Sequence, residues 1–286
     1  MCLLLGACQT GDNSSDIQEG VETVQELQTL ATDLLEAKQS ANPTAALSEH
    51  PEMVRDKAYT VQLVALSKEV SGSDRLIGWK MGGTRVTDAA PSPDPSFAYI
   101  LLSDSLDDGA GVSAGRYVDG DLLVEAEIAF VMGRDLMGEN HSEEDVAAAV
   151  AEVAGAIELI DIRIIPGDDG EAPSMNHMIA ANLSHAGIIL TEKRLSLDEV
   201  DVVAEAATVF VDDEEQSSGA GNQIMGSSPM DALVWIANAL PKRGQYLRSG
   251  DVVITGSLYD NPTLVAGQTA RVQFESFGSI SVSMTD

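Results

Sequence analysis

The amino-acid sequence predicts an α+β fold, in which a helical N-terminal section precedes a β-rich core. Apolar residues recur at helical spacing through residues 21–38, and a second helical segment covers residues 55–70. From residue 76 onward, short β-rich runs alternate with Gly, Asp and Pro turns. Two helical segments, 142–154 and 228–240, interrupt these runs. A doubly wound sheet would need a regular alternation of strands and helices, so the sequence favours the α+β class.

The order of elements divides the chain into three predicted parts. Residues 1–19 form an apolar start and a flexible tether, residues 20–75 the helical section, and residues 76–286 the β-rich core. Asn42-Pro43 separates the two N-terminal helices, because proline interrupts a helix, and Ser71-Gly72-Ser73 ends the second one. The predicted strands of the core cover residues 76–81, 122–131, 156–165, 186–191, 206–212, 251–256, 269–275 and 278–284.

The charge balance restricts the classes of partner. The 286 residues contain 16 Lys and Arg against 46 Asp and Glu, which gives a net charge of −30. A surface this acidic repels polyanions, so nucleic acids and anionic membrane surfaces are excluded as binding partners. The apolar fraction of 44% supports a sizeable core, and no stretch of 18 apolar residues is present to span a membrane.

The two cysteines lie at the start of the chain. Leu5-Gly6-Ala7-Cys8 resembles a bacterial lipobox, in which small residues precede a cysteine that becomes lipidated. Acyl chains on Cys8 would tether a periplasmic lipoprotein to a membrane. The alternative is a cytoplasmic protein in which this tetrapeptide occurs by chance, because the charged region and longer apolar stretch of a full secretion signal are missing. Since Cys2 and Cys8 precede the core, a disulfide within the core and a thiolate zinc site are excluded.

Two glutamates stand out in the strand-like run of residues 122–131. Side chains alternate faces along a strand, so Glu125 and Glu127 point to the same side, on a face that is otherwise apolar. Two like charges there repel each other and resist burial unless a cation compensates them. A second charged strand covers residues 156–165, and three carboxylates converging from two strands would suit Mg²⁺ or Mn²⁺, which prefer oxygen ligands. The alternative is a solvent-facing edge that carries ordinary glutamates.

Two further segments have features of an anion-binding site. Lys80 lies in Gly78-Trp79-Lys80-Met81-Gly82, where a lysine can hold a substrate carboxylate or have a shifted pKa; alternatively, it extends to the surface. Strand 251–256 leads into a turn of small residues whose N–H groups can bind an anion, although many plain β-turns look the same. His177 and His185 lack the HExxH spacing of zinc sites, and we expect both to be loop or surface residues.

Five segments carry a resemblance to one known family. They are Ala58 to Gln62, the G-x-K-x-G segment at Lys80, the E-x-E segment from Val124 to Phe130, the segment from Ala156 to Arg163, and Leu247 to Leu258, which reads L-x-x-G-D-x-x-x-T-G-S-L. Over residues 58–284 the set resembles the fumarylacetoacetate hydrolase superfamily, in its 2-oxopent-4-enoate hydratase and 4-oxalocrotonate decarboxylase branch. Each segment alone would be weak, whereas the set is specific.

The resemblance implies a mixed β-roll core of the fumarylacetoacetate hydrolase type and a homo-oligomer. The metal ligands that it implies, for Mg²⁺ or Mn²⁺, are Glu125, Glu127 and Glu158. The substrate-binding residues that it implies are Lys80, Thr255, Gly256, Ser257 and Leu258, with Lys80 also the catalytic residue. The implied activity belongs to aromatic compound catabolism: a lyase that adds water to 2-hydroxypenta-2,4-dienoate, or a close relative, to give a 4-hydroxy-2-oxo acid.

Two departures from the family pattern keep other functions open. Pro95-Ser96-Phe97-Ala98 stands where relatives commonly have P-D-F-G, and Ala180-Ala181-Asn182 stands where they commonly have A-D-N, so two acidic residues are replaced. The alternatives are a 2-oxo acid decarboxylase of the 4-oxalocrotonate type, an acylpyruvate hydrolase, or a membrane-tethered protein of the same fold that binds ligand without turnover.

Overall fold

The structure, a computed structural model, describes residues 13–87, 91–165 and 173–286. The lipobox-like segment, with Cys2 and Cys8, lies outside the described residues, so lipidation of Cys8 stays a prediction. Within the described parts of the chain, no helix is both long enough and apolar enough to cross a membrane.

Two helices form the N-terminal section: α1 covers Asn13–Ser40 and α2 covers Arg55–Ser71. They confirm the two helices that the sequence predicts. Helix α1 begins at Asn13, so it also includes residues 13–19, which the sequence analysis assigns to the tether. The Lys57 ammonium on α2 donates a hydrogen bond of 2.6 Å to the Glu26 carboxylate on α1, which joins the two helices.

Two β-sheets follow the helices. The strands in chain order are β1 (Leu76–Gly82), β2 (Ser96–Leu101), β3 (Ser105–Leu106), β4 (Ala110–Ser113), β5 (Asp121–Met132), β6 (Val150–Ile160), β7 (His185–Leu190), β8 (Ala206–Val211), β9 (Glu214–Ala220), β10 (Val252–Ile254), β11 (Thr263–Val265), β12 (Thr269–Phe274) and β13 (Gly278–Thr285). The larger sheet has the order β2-β1-β10-β5-β6-β7-β3, and β11 pairs with β5 as its eighth strand. The smaller sheet has the order β4-β13-β12-β8-β9. Helices followed by this strand core confirm the predicted α+β class.

The segment predicted as a helix over residues 142–154 is helical only in its first half. The helix there, α3, covers only Glu143–Ala147, and β6 begins at Val150. The strand predicted over residues 156–165 therefore starts earlier and ends at Ile160. The alanine-rich run fits a helix by propensity, but pairing along almost the whole of β5 holds it in a strand.

Two more helices lie between the strands. Helix α4 (Met175–Ala180) is absent from the sequence prediction, and its six residues are too short to give a clear helical pattern. Helix α5 (Pro229–Ala239) confirms the segment predicted over residues 228–240. Its start is well specified, because the Ser228 hydroxyl accepts a hydrogen bond from the Met230 N–H and proline occupies the first turn.

Aromatic packing fixes the N-terminal helices on the core. The Tyr59 ring on α2 stacks on Phe97 of β2 with ring centroids 4.4 Å apart, and Trp79 of β1 meets Phe97 edge-on at 5.6 Å. The two sheets approach closely at Gly155 on β6, where a Cβ atom would come within 2.7 Å of the Phe274 ring on β12. Two of these contacts involve β1 and β6, the strands that carry Lys80 and Glu158.

Candidate metal centre and active site

Strands β5 and β6 bring the three predicted metal ligands together. In their antiparallel register Glu125 lies directly opposite Glu158, and Glu127 follows two residues later on the same face of β5. One carboxylate oxygen from each residue lies within 4.8 Å of the others. Glu127 and Glu158 are fully buried, whereas Glu125 is partly exposed, so the cluster is open to solvent on the Glu125 side.

Each of these carboxylates has one oxygen that a neighbouring group holds. The Asn261 side-chain amide donates to Glu125 Oε1, the Gly256 N–H donates to Glu127 Oε2, and two further side chains hold Glu158 Oε1. Glu127 Oε1 and Glu158 Oε2, in contrast, are buried and have no hydrogen-bond partner among the described residues. Buried carboxylate oxygens without partners are costly. A divalent cation bound to them would remove that cost, so the cluster fits Mg²⁺ or Mn²⁺.

Lys80 and His185 are the side chains that hold Glu158. Lys80 Nζ lies 3.0 Å from Glu158 Oε1 and its side chain is 4% exposed, so Lys80 does not extend to the surface. Gly78 lets β1, which carries Lys80, lie this close to β10, because a Cβ atom on residue 78 would lie 2.0 Å from the carbonyl oxygen of Val252. His185 Nδ1 lies 2.6 Å from the same Glu158 oxygen. The expectation of a loop or surface position for His185 is therefore wrong, since it is fully buried in β7.

The protonation states of the cluster depend on one another. Burial and repulsion from Glu158 raise the pKa of Glu125 to about 7, and burial with repulsion from both other glutamates raises the pKa of Glu127 well above its usual value. Burial opposes the charge on Glu158, but Lys80 and the hydrogen bond from His185 hold its pKa below the usual value. For Lys80, burial is outweighed by attraction to the three carboxylates, which raises its pKa. A cation entering this site would therefore compete with protons for Glu125 and Glu127.

A cavity of about 250 Å³ opens beside the carboxylates. The turn after β10 forms one wall, and Gly256 is the residue that lets it approach β1. Gly256 has a φ angle of +109°, and a Cβ atom there would lie 1.9 Å from Thr84 Oγ1, so glycine is required. The residues that line the cavity include Lys80, Thr84, Arg85, Glu125, Gly256, Ser257, Tyr259 and Asn261.

The structure separates the four predicted substrate-binding residues after β10 into two pairs. Gly256 and Ser257 line the cavity, whereas Thr255 and Leu258 are fully buried. The Thr255 hydroxyl and the Leu258 N–H both donate to backbone carbonyls of β5, so this pair ties the turn to the strand that carries the metal ligands. The Ser257 hydroxyl lies 2.7 Å from the amide oxygen of Asn261. The substrate-binding roles of all four residues stay predictions.

The two positions that depart from the family pattern are both buried. The Ser96 hydroxyl donates to the carbonyl oxygen of Gly82 at 3.3 Å, and thus bonds across the β1–β2 pair. Ala181 ends helix α4. The other histidine that the sequence analysis set aside, His177, lies on α4, where Ser174 and the carbonyl of His50 are its partners.

Two residues of the cavity, Tyr259 and Asn261, are missing from the sequence prediction. Asn261 donates to Glu125, and the Tyr259 hydroxyl is buried with no partner in the part of the chain that the structure describes. Burial and the nearby charges of Glu125 and Glu127 raise the pKa of Tyr259 well above its usual value, so its hydroxyl stays a neutral donor. Both residues follow the L-x-x-G-D-x-x-x-T-G-S-L segment, and no spacing rule predicts that the loop folds back onto the cluster.

Comparison with known proteins agrees with this architecture. The family model described as fumarylacetoacetate (FAA) hydrolase, C-terminal, matches residues 79–284. The 2-hydroxyhexa-2,4-dienoate hydratase of Comamonas testosteroni is 31% identical over 263 residues, which cover 91% of this chain and 98% of the relative. The 2-keto-4-pentenoate hydratase of Paraburkholderia phymatum has the same identity and coverage. The solved structure of 4-oxalocrotonate decarboxylase from Pseudomonas putida G7, complexed with magnesium and adipate, is 25% identical with a TM-score of 0.83, over 91% of this chain and 97% of that one. The chain thus belongs to the fumarylacetoacetate hydrolase family.

Proposed function

We propose that the protein is a metal-dependent hydratase that adds water to 2-hydroxypenta-2,4-dienoate (2-oxopent-4-enoate), or to a close relative, to give a 4-hydroxy-2-oxo acid. The observation that carries the proposal is the Glu125, Glu127 and Glu158 cluster, in which two buried oxygens have no partner within the described parts of the chain. Hydratases of this substrate class are 31% identical over most of the chain. The relatives and the family indicate an enzyme rather than a protein that binds ligand without turnover, and a hydratase of this kind is a hydro-lyase.

In this proposal, side chains that line the cavity bind the substrate and donate a proton to it. When bound by the three glutamates, a divalent cation supplies Lewis-acid polarisation of a 2-oxo acid. The Lys80 ammonium lies in the same cavity, and its raised pKa keeps it protonated at neutral pH. Lys80 can therefore orient the substrate carboxylate or donate a proton to the carbon skeleton. The Tyr259 hydroxyl, for which the described residues provide no partner, is a second neutral donor in the cavity.

A second candidate function is decarboxylation of 4-oxalocrotonate or a similar dicarboxylic 2-oxo acid. Arg85 lines the cavity, and its guanidinium pairs at 2.6 Å with Asp260, whose side chain is 91% exposed. A second substrate carboxylate could replace this exposed partner. The solved structure of 4-oxalocrotonate decarboxylase, at 25% identity, also favours this candidate.

The two candidates are tested by supplying both substrates to the protein with Mg²⁺ and identifying the products by mass. A hydratase converts 2-hydroxypenta-2,4-dienoate to a product heavier by one water, with kcat/KM higher than that for 4-oxalocrotonate. Release of CO₂ from 4-oxalocrotonate, without hydration of the dienoate, would establish the decarboxylase instead. Conversion of neither substrate by a folded, metal-bound protein would contradict both.

We also propose that Cys8 is lipidated and tethers the enzyme to a membrane. The support is the small-residue sequence before Cys8. Membrane fractionation of cells that express the native chain or Cys8→Ser tests the proposal. We expect the native chain in the membrane fraction and the variant in the soluble fraction, whereas both in the soluble fraction would contradict lipidation.

A homo-oligomer is the remaining part of the proposal, and its support is family membership. Size-exclusion chromatography with light scattering measures the mass in solution directly. A mass of at least twice 30.1 kDa is expected, whereas a mass of 30.1 kDa at micromolar concentration would contradict the oligomer.

A further inference from the structure

His185 follows a stretch of backbone in a disfavoured conformation. Asn182, Leu183 and Ser184 have φ angles of 53°, 48° and 57°, a left-handed region that residues with a Cβ atom rarely adopt. Such a conformation persists only where the surrounding structure enforces it. Here the Asn182 amide bonds to both the N–H and the carbonyl of Tyr99 at 3.0 Å. The chain therefore enters β7 at a fixed position, and His185 is the first residue of that strand.

A β-bulge at the start of β7 determines where the His185 side chain points. The pairing of β6 with β7 shifts register between Leu159 and Ile160, which leaves Ala186 as an extra residue on β7. Bulges re-aim side chains, often next to functional sites. The result is that His185 lies beside Glu158.

The imidazole donates a hydrogen bond to the metal ligand. His185 Nδ1 lies 2.6 Å from Glu158 Oε1, and both side chains are fully buried. An ionised carboxylate only accepts hydrogen bonds, so Nδ1 carries the hydrogen. With Lys80 bound to the same oxygen at 3.0 Å, Glu158 Oε1 is occupied, and no described residue is a partner of Oε2.

The other side of the imidazole faces a second buried carboxylate. His185 Nε2 lies 3.9 Å from Asp104 Oδ2, which is beyond hydrogen-bonding distance. Asp104 is fixed in turn, because Lys38 on α1 lies 3.1 Å from its Oδ1 and the Leu101 N–H donates to its Oδ2. The ring is thus confined between Glu158 and Asp104, with helix α1 behind them.

We propose that His185 is a positioning residue, which fixes Glu158 through its Nδ1–H so that Oε2 stays directed at the divalent cation. Hydrogen bonds to metal ligands set the ligands' orientation, and their removal typically costs about 10- to 100-fold in metal affinity. The inference rests on the metal-dependent function proposed above, since it requires a cation at Glu158.

The affinity of the full chain for Mn²⁺, measured by isothermal titration calorimetry, tests this role. His185→Leu keeps a similar volume but removes the donor, so we expect the Kd for Mn²⁺ to rise about 10- to 100-fold. His185→Asn retains an amide donor near the place of Nδ1, so it recovers most of the loss. His177→Leu is the matched control, because the side chain of this histidine bonds only to Ser174 and His50 among the described contacts, and the Kd of this variant stays at the native value.

Different outcomes separate the failure of the inference from the failure of the proposed function. A native chain that binds no Mn²⁺ would overturn the proposed function, whereas native affinity in folded His185→Leu would overturn the role of His185 alone. Thermal unfolding in EDTA shows whether each variant is folded. If His185→Leu does not fold, His185→Asn is compared with His185→Gln, whose amide reaches the place of Nε2 instead. We expect about tenfold tighter binding by the Asn variant, and equal affinities would overturn the inference.

Discussion

Glu125 and Glu158 lie directly opposite each other on the antiparallel strands β5 and β6. Like charges at opposed positions of a sheet are destabilising, and burial increases the cost. Lys80 Nζ, 3.0 Å from Glu158 Oε1, offsets part of that cost. The pKa of Glu125 rises to about 7, so this carboxylate can take up a proton, which reduces the repulsion further. A bound divalent cation is therefore the group that best stabilises these two opposed carboxylates.

Replacement of one metal ligand should separate metal binding from folding. Glu127→Gln removes a buried carboxyl whose raised pKa costs stability in the metal-free protein near neutral pH, so we expect the metal-free variant to unfold at a higher temperature than the native chain. The same variant should lose the stabilisation that Mg²⁺ gives the native chain. Its kcat/KM should fall at least about 100-fold, since substitutions of residues around metal ligands already cost about 10- to 100-fold in activity. Thermal unfolding with Mg²⁺ or EDTA and a rate assay measure both effects. The exposed Glu144→Gln is the control, and an unaltered rate in Glu127→Gln would contradict the assigned role.

Metal affinity should increase with pH. In the metal-free protein the pKa of Glu125 is about 7 and that of Glu127 is well above its usual value, so both carboxylates retain protons to a higher pH than an ordinary glutamate. Binding of a cation expels them, and the Kd for Mn²⁺ falls as pH rises, by up to about tenfold per pH unit for each proton displaced. Calorimetry in buffers of different ionisation enthalpy counts the released protons. A Kd that is constant from pH 6 to pH 8 would contradict these protonation states.

The turn at Gly256 should tolerate no side chain. Gly256→Ala adds a Cβ atom 1.9 Å from Thr84 Oγ1 at a φ of +109°, and we expect the free energy of unfolding to fall by about 3 kcal/mol or more. Metal affinity should also fall, because the Gly256 N–H holds Glu127. Gly267→Ala is the control for backbone strain alone, because Gly267 has a φ of +87° with open space around it. This substitution should lower the free energy of unfolding by about 1–2 kcal/mol. Urea denaturation measures both losses, and equal losses would contradict the close approach.

Lys80 should matter for turnover more than for metal binding. Lys80→Met removes the ammonium from the cavity while the three carboxylates remain, so we expect kcat/KM to fall about 10²- to 10⁴-fold. Mn²⁺ binding should persist, because the three carboxylates remain and removal of the positive charge beside them opposes the effect of losing the Lys80 contact with Glu158. Steady-state rates and calorimetry on the same preparation separate the two effects, with the exposed Lys68→Met as control. A rate within about threefold of the native rate would contradict a catalytic role for Lys80.

The sequence was most informative where a local rule determines the geometry. Period-two alternation alone predicts that Glu125 and Glu127 share a face, and the structure confirms it. Glu158 and Lys80 were assigned through motif resemblance, and the structure brings both to the same cluster. Spacing cannot predict that β6 extends back to Val150, since its alanine-rich start also fits a helix.

The sequence does not predict the positions of residues that long-range contacts determine. His185 depends on a bulge and on three left-handed residues before it, and nothing in its neighbours along the sequence distinguishes it from a loop histidine. Asn261 reaches Glu125 from 136 positions away in the chain. Such residues support the metal ligands, and only the folded arrangement identifies them.

The most direct test of the central claim uses metal-depleted protein, to which Mn²⁺ is added in steps in the presence of 2-hydroxypenta-2,4-dienoate. Decay of the dienol absorbance reports the rate, and mass analysis identifies the product. We expect the rate to rise in proportion to the fraction of sites that hold Mn²⁺, with 4-hydroxy-2-oxopentanoate as product and no response in Glu127→Gln. Hydration at an undiminished rate in EDTA, or full Mn²⁺ occupancy of a folded protein without any product, would contradict the account.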